Sequence, residues 1–425
     1  MARKNAANRA GVAVYLDAAE LGPIAHIGNL FPGRDRIDFP PGFEYTEAWL
    51  SSAAAISIDP QLDLIEGEQH SRDGRGFGVF ADGAPDRWGR VLMERREIKS
   101  AADQKRECMR MNDMFFMLGV NDFTRSGALR FQVPPDTVFV GDGPLPAPPV
   151  TDLRELAMVA KKLDGPRPED MPEYERWLSM LLGPGTSLGG ARPKATYTGP
   201  DGALWLAKFP GHNDSYDWGS WEYLVYRLAQ RAKIDLPEAE RLNLGDRYWT
   251  YAVKRFDRVG GPAGAPHARR MYASAMTLTE RHDSQTGGSY LHMVQALEDN
   301  GGMGLADDLR QLFRRAVFNL FVGNRDDHLR NHGFLLSPSG WRLAPAFDIN
   351  PNPVKSHHAL TWDGASDASS LEPLLNTAGF YRLDAREASA IVEEVREVVS
   401  AWRDLARELD LPKVEIATMT KGFLL

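Results

Sequence analysis

Between Phe318 and Pro351 the chain reads FNLFVGNRDDHLRNHGFLLSPSGWRLAPAFDINP, a stretch that contains Asp326, Asn331 and Asp348. Phosphoryl transfer needs an acceptor for a hydroxyl proton and, separately, hard oxygen ligands for Mg²⁺. Asp326 suits the first task. Asn331 and Asp348 suit the second, as ligands of an ion that bridges the phosphates of ATP. The plain alternative is a surface loop rich in Asp and Asn, but the pattern continues across a hairpin as far as Asp348. Asp327 competes with its neighbour Asp326 for the same role. His328 would contact nucleotide or brace the loop. His328 and His332 have the spacing of a zinc pair, but no Glu stands where a metalloprotease helix needs one.

These residues need elements to bring them together. Leu309, Leu312, Phe313, Ala316, Val317, Leu320 and Phe321 recur at three and four, which predicts an amphipathic helix over Leu305–Val322 that ends at Gly323. Asn324–Asn331 then reads as a loop. Phe334–Leu336 and Trp341–Phe347 read as a hairpin turning through Ser337-Pro338-Ser339-Gly340, so that Asp348, at a strand's end, returns beside the loop.

Upstream, GPGTSLGGARPK (183–194) is glycine-rich and runs into a hairpin, where backbone N–H groups can approach phosphates closely. It is not a Walker A loop, since no Gly-Lys-Ser/Thr opens a helix; on its own it also reads as a plain connector. The hairpin is Lys194–Thr198 with Ala203–Phe209 around Gly199-Pro200-Asp201-Gly202. Lys208 on its second strand is either an outward charge or a phosphate ligand. Trp221–Ala232 reads as a helix near whose start Glu222 can pair with Lys208. Tyr248–Phe256 reads as a strand, with adenine expected to bond backbone atoms around Lys254–Phe256; a half-exposed strand end is the bland reading of AVKRFDR. The order of glycine loop, strand lysine, helix glutamate, strand, catalytic loop and metal Asp is that of a kinase.

At 425 residues the chain predicts two or three domains, and 43% hydrophobic with 25% charged residues is the balance of a water-soluble globular protein. No apolar run is long enough to span a bilayer, and the basic N-terminus lacks the apolar region of a secretory signal. Cys108 is the only cysteine, which rules out an intramolecular disulfide, argues against a cysteine-based metal site and fits a reducing cytoplasm. A net charge of −8 argues against nucleic-acid binding through bulk charge. Val12–Leu16 with Leu21–Ile27 predicts a hairpin, and Pro85 near Asp86–Arg96 marks a helix start. VPPDTVFVGDGPLPAPPVTD (133–152) reads as a linker, and the alternative is a long surface loop. Asp384 with Glu387 is a capping box before a long helix carrying Ile391, Val395, Val398, Trp402, Leu405 and Leu409. The expected organisation is a β-rich subdomain over 1–140, a lobe with glycine loop and hinge over 150–258, and a helical lobe with catalytic loop over 259–425.

Taken together the motifs resemble the HipA family of serine/threonine kinases, toxins of bacterial type II toxin–antitoxin pairs. The likeness is carried by SLGGARPKA (187–195), AKFP (207–210), KRFDR (254–258), GNRDDH (323–328) with Asn331, and FD (347–348). FADGAPDRWGR (80–90) and GALRF (127–131) resemble the family's N-terminal subdomain. The resemblance implies an α+β, protein-kinase-like bilobal fold with a β-rich N-terminal subdomain and a mainly α-helical C-terminal lobe. It implies Asp326 as the catalytic Asp, Asn331 and Asp348 as Mg²⁺ ligands, and a nucleotide site built from Ser187, Gly189, Gly190, Lys194, Lys208, Glu222, Lys254, Phe256 and His328. Ser187 matches the serine that such kinases autophosphorylate to switch themselves off, with Thr186 as a substitute. Added phosphate charge beside the ATP phosphates would repel them. The implied substrate is a protein of translation, aminoacyl-tRNA synthetases among them. The implied partner is a helix-turn-helix, HipB-like antitoxin on a separate chain, with DNA reached only through it and no membrane involved. The His-Arg-Asp order of protein kinases is missing, although Arg325 directly precedes Asp326. A catalytically silent co-repressor and a small-molecule phosphotransferase are the other readings of the same residues.

Overall fold

The computed structural model describes residues 11–33, 41–141, 147–185, 190, 192–259, 267–283 and 285–424. The chain forms two compact units, Met1–Ala207 with Asp257–Ala273, and Lys208–Phe256 with Ser274–Leu425.

In the first unit, β1 (Val12–Leu16), β2 (Ala25–Phe31), β3 (Gly42–Tyr45) and β4 (Leu129–Gln132) form a sheet in the order β3-β2-β1-β4. Neighbours are antiparallel, with Val12 opposite Leu30 and Leu16 opposite Leu129. The second strand starts at Ala25 rather than Leu21. Leu21 N–H turns back to the Ala18 carbonyl at 2.9 Å, Gly22 takes a φ of +127°, and Pro23 has no N–H to give a ladder. Helix α1 (Arg87–Asp103) is longer than its sequence signal; Asp86 caps it, and Trp88, Leu92, Met93 and Ala101 are buried. Helices α2 (Leu153–Asp164) and α3 (Tyr174–Gly185) pack on each other. The hairpin β5 (Lys194–Thr198) and β6 (Leu204–Lys208) closes where Gly199 N–H donates to the Ala203 carbonyl at 2.9 Å.

Two motifs of this unit interlock. Gly127, at φ +73°, donates its N–H to Asp257 Oδ2 at 2.9 Å, and its carbonyl accepts from Arg258 Nη1 at 3.0 Å. Arg258 also donates to the Arg125 carbonyl and is buried. Asp257 and Arg258 therefore satisfy the backbone of the turn before β4, which explains their place in the sequence without any ligand.

In the second unit, α4 (Trp218–Arg231) begins three residues before the expected start, because Asp217 accepts the Ser220 N–H at 3.1 Å. Strands β7 (Ala239–Leu242) and β8 (Thr250–Lys254) pair antiparallel. Helix α5 (Tyr290–Asn300) carries a Ser289–His292 capping box. Helix α6 (Leu305–Val322) has the boundaries that the periodicity predicts, and its apolar face is buried together with Arg315 and Asn319. Strands β9 (Gly333–Ser337) and β10 (Gly340–Leu343) form the expected hairpin. Helix α7 (Ala385–Ser400) starts with the reciprocal bonds between Asp384 and Glu387, at 2.8 and 3.0 Å, and packs on α6. The single long helix expected through Leu409 is two. A turn at Ala401 starts α8 (Trp402–Glu408) and buries Trp402 completely, stacked on Phe423 with ring centroids 4.2 Å apart. Among the described residues no helix is long and apolar enough to cross a membrane.

Candidate active site

The site begins where α6 ends. Gly323 closes the helix at φ +66°, and a Cβ there would lie 2.0 Å from the Gly422 carbonyl oxygen, so only glycine fits. The chain then runs over a buried polar layer. Asn324 donates to Asn319 Oδ1 at 3.3 Å, and its carbonyl accepts from His358 Nδ1 at 3.1 Å. Asp327 points into this layer. It accepts from the Tyr290 hydroxyl, from Asn319 Nδ2 at 3.0 Å and from His332 Nε2 at 2.9 Å. Burial pushes the Asp327 carboxyl up, but the His332 charge and the bonds from His332 and Tyr290 outweigh it and hold the group below the usual aspartate value. Asp326 faces the other way and is 58% exposed. Of the two adjacent carboxylates, then, Asp327 anchors the loop and Asp326 is the accessible one.

Asp348 reaches this loop by a different route from the one expected. Strand β10 ends at Leu343, since Pro345 has no N–H to continue the ladder. Asp348 lies beyond, outside any strand, at φ +55°. Few residues other than Gly adopt that region, Asp and Asn being the most tolerant. Backbone bonds tie this segment to the loop at both ends. Ala344 N–H donates to the Gly333 carbonyl at 2.9 Å, and Asn352 N–H donates to the Gly323 carbonyl at 2.9 Å. Arg325, buried, adds a bond from Nη1 to the Asn352 carbonyl at 2.7 Å. Asp326 and Asn331 lie on one of the two strapped segments and Asp348 on the other.

Lys208, the last residue of β6, sits between Glu222 Oε1 at 2.6 Å and Asp348 Oδ1 at 2.5 Å, with its ammonium 5.7 Å from the centre of the Tyr251 ring. Burial favours the neutral amine, yet the Asp348 and Glu222 carboxylates outweigh it, so the Lys208 pKa lies above the ordinary lysine value. Glu222 is one turn into α4 rather than at its start. Phe256 packs on Phe347 with centroids 5.6 Å apart, next to Asp348. Lys254 bonds Glu238: its N–H donates to the Glu238 carbonyl at 2.8 Å and its ammonium lies 3.6 Å from the Glu238 carboxylate. His328 buries its Nδ1 with no hydrogen-bond partner among the described residues.

The glycine-rich segment belongs to the first unit. Thr186, Ser187 and Gly189 lie outside the described residues. Gly190, at φ +104°, donates its N–H to Asp86 Oδ2 and accepts from Trp88 N–H at 3.4 Å. Lys194 is buried, and a Cβ on Gly190 would come 2.5 Å from its ammonium nitrogen.

The donor chemistry fits a magnesium ion. Asn331 Nδ2 donates to the Asp326 carbonyl at 3.3 Å, so the amide oxygen is the outward end of that side chain. With the Asp348 carboxylate it gives two hard oxygen donors. No group of three or more His, Cys, Asp or Glu that could hold a metal occurs among the described residues. Mg²⁺ is commonly held by one or two carboxylates together with phosphates and waters.

The family model for the HipA-like C-terminal domain matches residues 186–402, about half of the chain. The chain belongs to the HipA-like family. Its relatives include the Sinorhizobium fredii (strain NGR234) protein named "Putative kinase Y4mE", 26% identical over 327 residues, 72% of this chain and 71% of that one. The serine/threonine-protein kinase toxin HipA of Shewanella oneidensis is 26% identical over 142 residues, 30% of this chain and 33% of the toxin. The Shewanella oneidensis MR-1 structure of HipA with HipB and operator DNA aligns with a TM-score of 0.69 at 17% identity, covering 96% of this chain and 94% of that one. The chain therefore has the HipA fold, and the α+β, kinase-like class expected from the sequence is the one found. Tyr290, Asn319 and Lys355 escaped the sequence reading, and His332 entered it only as half of a zinc-spaced pair. Tyr290, Asn319 and His332 select Asp327 as the anchor, and Lys355 pairs with Asp326. None falls in a motif that announces such a role.

Proposed function

We propose that this HipA-like chain is an ATP-dependent serine/threonine protein kinase. The observation that carries the proposal is the strapping of the Asp326–Asn331 loop to the Asp348 segment, with Lys208 held between Asp348 and Glu222. In this reading Asp326 accepts the proton of a serine or threonine hydroxyl. The hydroxyl oxygen bonds the γ-phosphorus, the bond from that phosphorus to the β–γ bridging oxygen breaks, and ADP leaves with the bond's electron pair. Asn331 and Asp348 would hold Mg²⁺, which when bound neutralises triphosphate charge. Lys208 exchanges part of its contact with Asp348 for a phosphate oxygen, and Glu222 keeps it in place meanwhile. Phe256 and His328 would border the nucleotide.

The finer reading follows the family. The chain would be the toxin of a toxin–antitoxin pair, acting on a protein of translation such as an aminoacyl-tRNA synthetase and silencing itself by phosphorylation at Ser187 or Thr186. A HipB-like helix-turn-helix antitoxin would be its partner. With a net charge of −8, the chain would meet operator DNA through that partner's basic surface. The deciding experiment incubates purified chain with Mg²⁺ and γ-labelled ATP. Labelled protein from the wild type and none from Asp326→Ala is the expected result. No transfer by the wild type, to itself or to a cell lysate, would leave the silent co-repressor as the better account.

A further inference from the structure

One cation at the site has no part in the mechanism above. Lys355 makes an ion pair with Asp326, and the turn that presents it is built for the purpose. Asn352 Oδ1 accepts the N–H groups of Val354 and Lys355, both at 3.0 Å, an Asx turn that sets the direction of the chain. The same Asn352 is bonded through its own N–H to Gly323 and through its carbonyl to Arg325. Both of these partners belong to the segment that carries Asp326. The backbone at Lys355 is thus tied to the backbone at Asp326 by polar bonds. Apolar packing contributes little here, for Val354 is 84% exposed.

We propose that Lys355 is a phosphate-positioning residue. Without nucleotide it neutralises Asp326; with a nucleoside triphosphate bound it moves its ammonium to the terminal phosphoryl oxygens and frees Asp326 for the hydroxyl. The inference rests on the reading of Asp326 as the proton acceptor. An ion pair whose members are 48% and 58% exposed is weak in water and exchanges readily. A polyphosphate carries several negative charges and outcompetes a single carboxylate for the same ammonium. A lysine suits this exchange, since it is a compact charge on a flexible stem that serves successive partners without a fixed fork geometry.

The test uses the full chain and the variants Lys355→Ala, Lys355→Arg, Asn352→Ala and Val354→Ala. Affinities for Mg·ATP and Mg·ADP are measured by calorimetry, and single-turnover incorporation of γ-labelled phosphate into the chain is followed. Lys355→Ala is expected to lose about tenfold in ATP affinity with ADP affinity unchanged, as for a lost charged hydrogen bond, and to transfer phosphate about tenfold or more slowly. Lys355→Arg recovers most of the ATP preference, Asn352→Ala loses a smaller part of it, and Val354→Ala none. Equal loss of ATP and ADP affinity, or wild-type behaviour of Lys355→Ala, overturns the inference while leaving the kinase reading intact. Faster transfer by Lys355→Ala also overturns it, because Lys355 would then be a plug on Asp326. A wild type that binds neither nucleotide overturns both readings together.

Discussion

Two lysine–aspartate pairs in the second unit use the same chemistry in different surroundings. Lys208 and Asp348 meet in a largely buried setting with Glu222 as a third member, whereas Lys355 and Asp326 meet in the open. Burial makes the first pair costly to break and the second easy to exchange. On the proposed kinase reading, the first pair would keep its geometry while the second would release the proton acceptor. The largest expected effect comes from the buried pair. Asp348→Asn should lower phosphate transfer about 10³-fold or more, the range for losing a metal or electrostatic ligand. It should also lower thermal stability, because Lys208 keeps only one carboxylate partner. Asp326→Asn should match it in lost transfer but not in lost stability. Equal melting shifts for the two variants would break the comparison.

The next effect concerns the neighbouring carboxylates. Asp327 bonds Tyr290, Asn319 and His332 inside the unit, so Asp327→Ala leaves those donors and the imidazole without their acceptor. Breaking such a buried pair costs about 3–5 kcal/mol. Exposed Asp326→Ala should stay within about 0.5 kcal/mol of wild type. Urea unfolding followed by tryptophan fluorescence separates the two; a mild Asp327→Ala would mean that the polar layer adds little to the loop's position.

This contrast also shows what the amino-acid order can reveal. Helix α6 was legible because its apolar residues repeat with a clear period and Gly323 punctuates its end. The lysine–glutamate pair was legible because Lys208 and Glu222 lie within one hairpin-to-helix step. The choice between Asp326 and Asp327 was not, since it is made by Tyr290 and Asn319, which approach from two other helices. The path to Asp348 was misread because one Pro345 ended a strand whose apolar text continues to Phe347. The break at Ala401 had no glycine or proline to mark it; the packing of Trp402 on Phe423 accompanies it. Lys355 stands in a short polar run where nothing local distinguishes it. Local punctuation and periodicity are written along the chain, while the partners of a buried polar group are written elsewhere in it.

A smaller effect follows from the floor of the loop. His358 is buried, bonds the Asn324 carbonyl, and has its pKa pushed down to about 4, chiefly by burial. Its unfolded value is about 6.5. Between these values the unfolded chain binds a proton that the folded chain refuses, so stability rises with pH across that window. The contribution is fully present above about pH 6.5 and is lost as pH falls toward 4, on the order of 3 kcal/mol at most. Urea midpoints of wild type and His358→Gln, measured from pH 7 to 4, test this. The variant should show a flatter profile, whereas parallel profiles would assign the acid lability to other groups.

The smallest effect tests the other unit, where the glycine-rich segment is held at Gly190. Asp86 uses both carboxylate oxygens, one for the Arg87 N–H at the start of α1 and one for the Gly190 N–H. Asparagine offers a single acceptor oxygen, so Asp86→Asn must give up one of the two bonds, and Asp86→Ala gives up both. Loss of the helix cap alone costs about 1 kcal/mol. If the bond to Gly190 serves nucleotide handling as well as folding, Mg·ATP should bind a few-fold more weakly to both variants, by an amount unrelated to their stability loss. Affinity that instead tracks the melting temperature would make Asp86 a helix cap and nothing more, and the FADGAPDRWGR motif a feature of folding rather than of nucleotide handling.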